Sequence, residues 1–208
     1  MSKSGARFIT LEGVDGSGKS TQSKALKEAL EAEGHDVLLT REPGGSPGAE
    51  EIRSLVLEGD PERWSAETEI LLFTAARRDH LERTILPALD AGKIVICDRF
   101  VDSTRVYQGL SRGDLREIVD SLHELMIARE ADLTLLFDMD PAMGLARAKA
   151  RQTREERFED MGLEMQLAMR RGFLDLAAAF PERFAVIDAG RAIADVGASA
   201  LSVVKARL

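Results

Sequence analysis

The chain has 208 residues, 44% of them hydrophobic and 31% charged, with a formal net charge of −8. That length supports one sizeable core, and the acidity disfavours a general nucleic-acid surface. A lone cysteine, Cys97, excludes an internal disulfide and suits a cytoplasmic location, while no apolar run approaches a membrane span.

Residues 1–7 run into the first predicted strand, 8–11, with no secretory core between them. That strand meets Gly13-Val14-Asp15-Gly16-Ser17-Gly18-Lys19-Ser20, a G-x-x-x-x-G-K-S segment, and a helical pattern over 21–33 follows. Glycines let the backbone turn tightly, so successive N–H groups converge where the helix adds the positive end of its dipole. Such a nest binds polyphosphate, with Lys19 on the terminal phosphates and Ser20 placed for Mg²⁺. Thr21 continues the same turn.

Strands at 37–40 and 94–97 bracket helices predicted at 49–57 and 66–91, with Gly34 and Gly92 at helix ends. Phe73 and Arg77 lie four apart on one helical face. Together a ring and a guanidinium can stack on a base and donate to its carbonyl, although the residues alone read Phe73 as core. The strand at 94–97 ends in Asp98-Arg99, at the carboxyl edge where open α/β sheets gather ligands. Asp98 suits Mg²⁺ or its water and Arg99 an anionic acceptor; the alternative is an ion pair capping the strand. Ser103/Tyr107 and Thr104/Gln108 are further i,i+4 pairs, fit for a base and sugar if helical, or else a polar junction.

A helix over 115–130 places Leu115, Ile118, Val119, Leu122, Leu125 and Met126 on one stripe, either a core face or a dimer surface. After a strand at 133–137, Asp140-Pro141 opens a helix over 141–150. Arg147, Lys149, Arg151, Arg154 and Arg157 then form a basic run; taken alone it reads as a solvated, salt-bridged helix. A helix over 163–179, a strand at 184–187 and a helix over 192–206 complete the chain. His35, His80 and His123 lack ligand spacing and read as ordinary surface or core residues, with no zinc site. The β–α alternation predicts a doubly wound parallel sheet in one domain over 1–208, with no repeat or linker.

The chain has no asparagine, which excludes the Asn-Lys-x-Asp guanine-reading motif. The segments at 13–21, Thr40-Arg41-Glu42-Pro43-Gly44-Gly45, Phe73-Thr74-Ala75-Ala76-Arg77, Asp98-Arg99-Phe100 with Ser103-Thr104 and Tyr107-Gln108-Gly109, and Glu156-Arg157-Phe158-Glu159 occur in this order. Together they resemble the bacterial thymidylate kinase family over nearly the whole chain. The resemblance implies a three-layer α/β P-loop kinase fold, with a five-stranded parallel sheet flanked by helices and a short lid at about 147–160. It implies ATP and Mg²⁺ as cofactors, phosphorylation of dTMP to dTDP, a homodimer, and no nucleic-acid or membrane partner.

The resemblance also assigns roles. ATP falls to residues 13–21, with Arg147 stacked on adenine. Phe73 stacks on thymine, Arg77 bonds O4, Ser103, Thr104 and Gln108 lie beside thymidine, and Tyr107 lies near the deoxyribose. Asp15 accepts from the acceptor's 3′-hydroxyl, and Glu42–Pro43 is expected cis. Arg99 and Arg53 hold the acceptor phosphate, with Arg41 as alternative to Arg53. The loop residues Val14, Asp15, Gly16 and Ser17 carry no arginine, yet phosphoryl transfer needs positive charge about the moving group. Family members of this subtype supply it from the lid, which implies Arg151 as the catalytic arginine, then Arg157. The chain runs one residue long near 152–154, leaving Arg154 open. Rival readings are a kinase for uridylate, cytidylate or guanylate, a P-loop regulatory or partitioning protein, and a nucleic-acid-binding module, the last disfavoured by net charge.

Overall fold

Short runs such as Ile94–Asp98 and Leu133–Asp138 are apolar on both faces, which suits strands covered on both sides. The computed structural model describes residues 6–60, 63–109, 113–149 and 162–208. Its strands are β1 (Arg7–Glu12), β2 (Val37–Arg41), β3 (Ile94–Asp98), β4 (Leu133–Asp138) and β5 (Phe184–Asp188). They form one parallel sheet in the order β2-β3-β1-β4-β5. Its two central polar residues, Thr10 and Thr134, satisfy each other across β1 and β4 at 2.9 Å.

The helices are α1 (Lys19–Ala32), α2 (Pro47–Leu57), α3 (Ala66–His80), α4 (Leu86–Asp90), α5 (Val101–Tyr107), α6 (Arg116–Met126), α7 (Pro141–Lys149), α8 (Gly162–Ala179) and α9 (Ile193–Lys205). Alternation along the strands splits the core. Ile9, Leu11, Ile94 and Ile96 pack under α1 and α9 through Leu26, Leu30, Val196 and Val204. Phe8, Val95 and Cys97 face the opposite side, against Ile70 of α3, Phe100 and Val119 of α6. There α8 covers the β4–β5 end through Met169, Phe173 and Leu176. The result is the three-layer sandwich expected.

Two helices differ from expectation. The pattern over 66–91 is interrupted by a π turn at Leu81–Ile85 before α4. Pro87 explains it: proline lacks an N–H and its ring crowds the carbonyl four residues back, and a wider turn relieves both. The helix predicted to reach 130 stops at Met126, where Ala128 takes a left-handed φ of 51° and its N–H returns to the His123 carbonyl at 2.8 Å. Of its apolar stripe, Val119 is buried and Leu115 and Leu122 pack on the core, while Ile118, Leu125 and Met126 face outward.

The residues 101–107, left open by periodicity, form α5. An ionic network centred on buried Arg105 and Asp102 fixes it: Arg105 pairs with Asp102 at 2.9 Å, Asp120 at 2.7 Å and Glu130 at 2.6 Å, and Arg183 joins Asp102 at 2.5 Å. Asp102 is wholly buried, so deleting one of its cations would cost on the order of 3–5 kcal/mol. This anchoring matters because α5 carries three of the predicted site residues, Ser103, Thr104 and Tyr107, and Gln108 follows at its end. The Glu42–Pro43 bond is cis, as expected.

Candidate active site

The loop from β1 to α1 wraps around its own lysine. Lys19 Nζ donates to the carbonyls of Gly13 at 3.0 Å and Val14 at 2.9 Å, and to Ser17 Oγ at 3.4 Å. Gly18 starts α1 with φ 91°, no side chain caps the helix, and its first turn holds no acidic residue. The α1 amides therefore point into the loop, where a phosphate would meet them. Gly16 is required by space as well as by its φ of 78°: a Cβ there would lie 2.0 Å from the Gly144 carbonyl. The loop is thus seated against α7.

Beside it opens a cleft of about 340 Å³, within the range of small-ligand sites. Asp15, Gly16, Gly18, Lys19 and Ser20 line one wall, and Asp98 and Arg99 form the floor. Ser20 Oγ donates to Asp98 Oδ2 at 2.6 Å. Two hard oxygen ligands at the phosphate end suit Mg²⁺, which takes few protein ligands and completes its shell with water and phosphate. Among the described residues no group of three or more His, Cys, Asp or Glu side chains is placed to hold a metal ion.

Arg99 sits at φ 70°, a left-handed conformation that costs a non-glycine residue roughly 1–2 kcal/mol. The turn folds its guanidinium back across the loop. Arg99 donates to the Gly13 carbonyl at 3.2 Å, Ser103 Oγ at 3.0 Å, Tyr107 Oη at 3.2 Å and the Asp15 carboxylate. Tyr107 Oη in turn donates to Asp15 Oδ2 at 3.3 Å. Burial opposes the charge on Arg99, but Tyr107, Asp15, Glu12 and Asp98 outweigh it and raise its pKa. Burial likewise works against the Asp15 carboxylate, yet Arg99 and Lys19 hold its pKa below the ordinary value. Lys19 is pushed down to about 8, by burial first and then by Arg99. A phosphate ligand would counter both effects.

The far half of the cleft is shaped by α3 and α5. Phe73 and Arg77 line it from α3, and Ser103, Thr104, Tyr107 and Gln108 from α5 and its C-terminus. Arg77 donates through Nε to Glu42 at 2.8 Å and through Nη2 to Thr104 Oγ1 at 2.9 Å, lying 5.2 Å over the Phe100 ring. Glu42 also meets His80 Nδ1 at 3.2 Å, and His80 Nε2 meets Thr40 Oγ1 at 2.7 Å. On the rim, Arg53 donates to the Pro43 carbonyl at 2.5 Å and Arg41 to Glu50 at 3.2 Å.

Most of the predicted residues therefore meet in one cleft. Gly13, Val14 and Ser17 lie behind its wall as loop framework, and Thr21 is exposed beyond the lysine. Arg147 lies outside the cleft: its Nη1 is 3.4 Å from the Ala189 carbonyl, past the end of β5. Arg151, Arg154 and Arg157 fall outside the described residues. Besides Asp102, three buried carboxylates around the cleft are assigned no role by sequence reasoning. Glu12 accepts from Phe100 N at 2.8 Å, Ser103 N at 3.2 Å and Ser103 Oγ at 2.6 Å. The other two are Glu42 and Glu69. A signal existed only for Glu69, which stands four residues before Phe73 on the same helical face.

A phosphate nest and a base-sized recess share this cleft at the carboxyl edge of a β2-β3-β1-β4-β5 sheet, so the class defined is a P-loop kinase with a second nucleotide-sized site. The thymidylate kinase family model matches residues 11–200. A thymidylate kinase of Ruegeria pomeroyi is 70% identical over 201 residues, covering 97% of this chain and 95% of that one. Another, from Dinoroseobacter shibae, is 63% identical over 196 residues, covering 94% and 95%. The crystal structure of thymidylate kinase from Ehrlichia chaffeensis superposes with a TM-score of 0.79 at 35% identity, over 96% of this chain and 99% of its own. The chain belongs to the thymidylate kinase family.

Proposed function

We propose that this protein transfers the γ-phosphoryl group of ATP to the 5′-phosphate of dTMP, giving dTDP and ADP. The observation that carries this reading is the continuity of one cleft from Lys19 to Phe73 and Arg77, with Arg99 between them. A phosphate oxygen of dTMP attacks γ-phosphorus in line as the bond to the ADP oxygen breaks. That oxygen is already anionic, so no general base is needed and the arginines have the main work.

Arg99 and Arg53 hold the acceptor phosphate, with Arg41 on the same rim. Asp15 receives the sugar 3′-hydroxyl and Tyr107 lies by the deoxyribose; Phe73 stacks on thymine, with Arg77, Ser103, Thr104 and Gln108 about its edge. Lys19 follows the moving charge, and Arg151 joins it from a lid at about 147–160. Ser20 and Asp98 would hold Mg²⁺, whose charge neutralises phosphate oxygens when bound. Arg147 reaches adenine as the lid closes, and closure excludes water. The chain works as one domain, in the cytoplasm, as a homodimer through the outward apolar residues of α3 and α6. No helix among the described residues is long and apolar enough to cross a membrane.

The test is a panel of dTMP, dUMP, UMP, dCMP and GMP with ATP and Mg²⁺, followed by coupled ADP release. Preferred turnover of dTMP supports the reading. ADP release that no acceptor stimulates would instead favour a nucleotide switch.

A further inference from the structure

Glu69 is wholly buried and lies on the stripe of α3 that carries Phe73 and Arg77, four and eight residues on. Burying a carboxylate is costly, and this one is not placed to touch phosphate. Its Oε2 accepts from Nε2 of Gln108 at 3.2 Å, and Gln108 is itself only 2% exposed. A carboxylate offers acceptors only, so turning the Gln108 amide over would set oxygen against oxygen. The amide nitrogen is therefore held on Glu69. Gln108 Oε1, which accepts no hydrogen bond among the described residues, remains as an acceptor for the cleft.

The second buried carboxylate does the opposite at the other side of the recess. Glu42 and Thr104 take Nε and Nη2 of Arg77, and Nη1 has no hydrogen bond among the described residues. Thr104 and Gln108 are one turn apart, joined by the Gln108 N–H to the Thr104 carbonyl at 3.1 Å. The recess therefore pairs a donor with an acceptor. A 4-oxopyrimidine matches it with a carbonyl beside a ring N–H; a 4-aminopyrimidine presents the reverse order. We propose that Glu69 is a specificity-determining positioning residue, which fixes the Gln108 amide so that the site accepts thymine and rejects cytosine. This rests on the dTMP kinase reading above.

The experiment measures kcat and KM for dTMP and dCMP with the wild type, Glu69→Gln, Gln108→Ala and the double variant. Glu69→Gln frees the Gln108 amide to turn. It should raise KM for dTMP about tenfold with kcat within about threefold, and raise the dCMP-to-dTMP ratio of kcat/KM about tenfold. In the Gln108→Ala background the same substitution should move that ratio by less than about twofold, because the residue acts through Gln108. Glu69→Asp keeps an acceptor and should retain the wild-type preference. If Glu69→Gln does not fold, Glu69→Met, which removes the carboxylate acceptors altogether, is read on the same ratio. An unchanged ratio in an enzyme that phosphorylates dTMP overturns this inference alone, as does an equal change with Gln108 absent. Failure of the wild type to use dTMP overturns the functional reading and this one with it.

Discussion

Ser20 and Asp98 meet at 2.6 Å, which joins the first turn of α1 to the last residue of β3. The contact gathers a hydroxyl and a carboxylate at the phosphate end of the cleft. If they hold Mg²⁺, Asp98→Asn should lower kcat by about 10²-fold and raise the Mg²⁺ concentration for half-maximal rate. Titrating Mg²⁺ at saturating ATP and dTMP checks this. An unchanged Mg²⁺ dependence would place the ion elsewhere.

Arg77 and Glu42 form an ion pair in which both side chains are about 95% buried. Hydrogen bonds to charged groups contribute about 1.5–3 kcal/mol, so Arg77→Ala should raise KM for dTMP at least about tenfold. It should also destabilise the fold by roughly 3–5 kcal/mol, because Glu42 loses its guanidinium. Adding Glu42→Gln should recover part of that stability in urea unfolding while leaving KM high. Recovery of both would show that Arg77 acts on the base only through the fold.

Arg151 is the proposed lid arginine. Arginines that stabilise the moving phosphoryl group are worth roughly 10³–10⁵ in rate, so Arg151→Ala should cut kcat at least about 10²-fold with little change in KM for dTMP. Parallel kinetics on Arg154→Ala and Arg157→Ala complete the comparison. A loss below tenfold at Arg151 would move the role to whichever neighbour shows the larger one.

Glu12 gives a pH dependence with a definite sign. Burial, and then the nearby charge of Asp102, raise its pKa from 4.5 to about 7. The folded protein therefore binds this proton more tightly than the unfolded chain. The stabilisation is complete below pH 4.5 and is lost as pH rises through about 7. Glu12→Gln has no such titration. Relative to it, the wild type should lose roughly 2–3 kcal/mol of unfolding free energy between about pH 5 and pH 8. Urea unfolding of both proteins at each pH checks this; a constant difference would contradict it.

Leu71 on α3 is 57% exposed, and Ile118, Leu125 and Met126 on α6 are 43%, 77% and 47% exposed. The two helices are joined where Arg78 donates to the Met126 carbonyl at 2.8 Å. These exposed apolar side chains on two joined helices offer a surface to a second copy of this chain. Sedimentation should give a dimer, and Leu71→Glu with Leu125→Glu should give a monomer of unchanged far-ultraviolet spectrum. A monomeric wild type would refute the homodimer.

The elements most legible in the sequence carry their information locally. Five apolar strands, the loop at 13–20 and the glycines after α1 and α4 need only neighbours in the chain, and Phe73 with Arg77 needs only helical spacing. What escaped depends on distant partners. Glu12 earns its place by meeting the α5 backbone some 90 residues on, and Glu42 by meeting Arg77 and His80. No local pattern separates such a carboxylate from a solvated one. Helix α5 is short and buried by ion pairs, so it shows no amphipathic period, and the outward half of the α6 stripe could not be told from its core half.

The proposed function requires one cleft to seat a nucleoside triphosphate at Lys19 and thymidylate opposite it. Initial rates of dTDP formation from ATP and dTMP, for the wild type and Lys19→Ala, test it most directly. The wild type should convert dTMP robustly, and the variant should lose at least about 10²-fold in rate. Unconverted dTMP in the wild type, or equal rates in the two proteins, would contradict it.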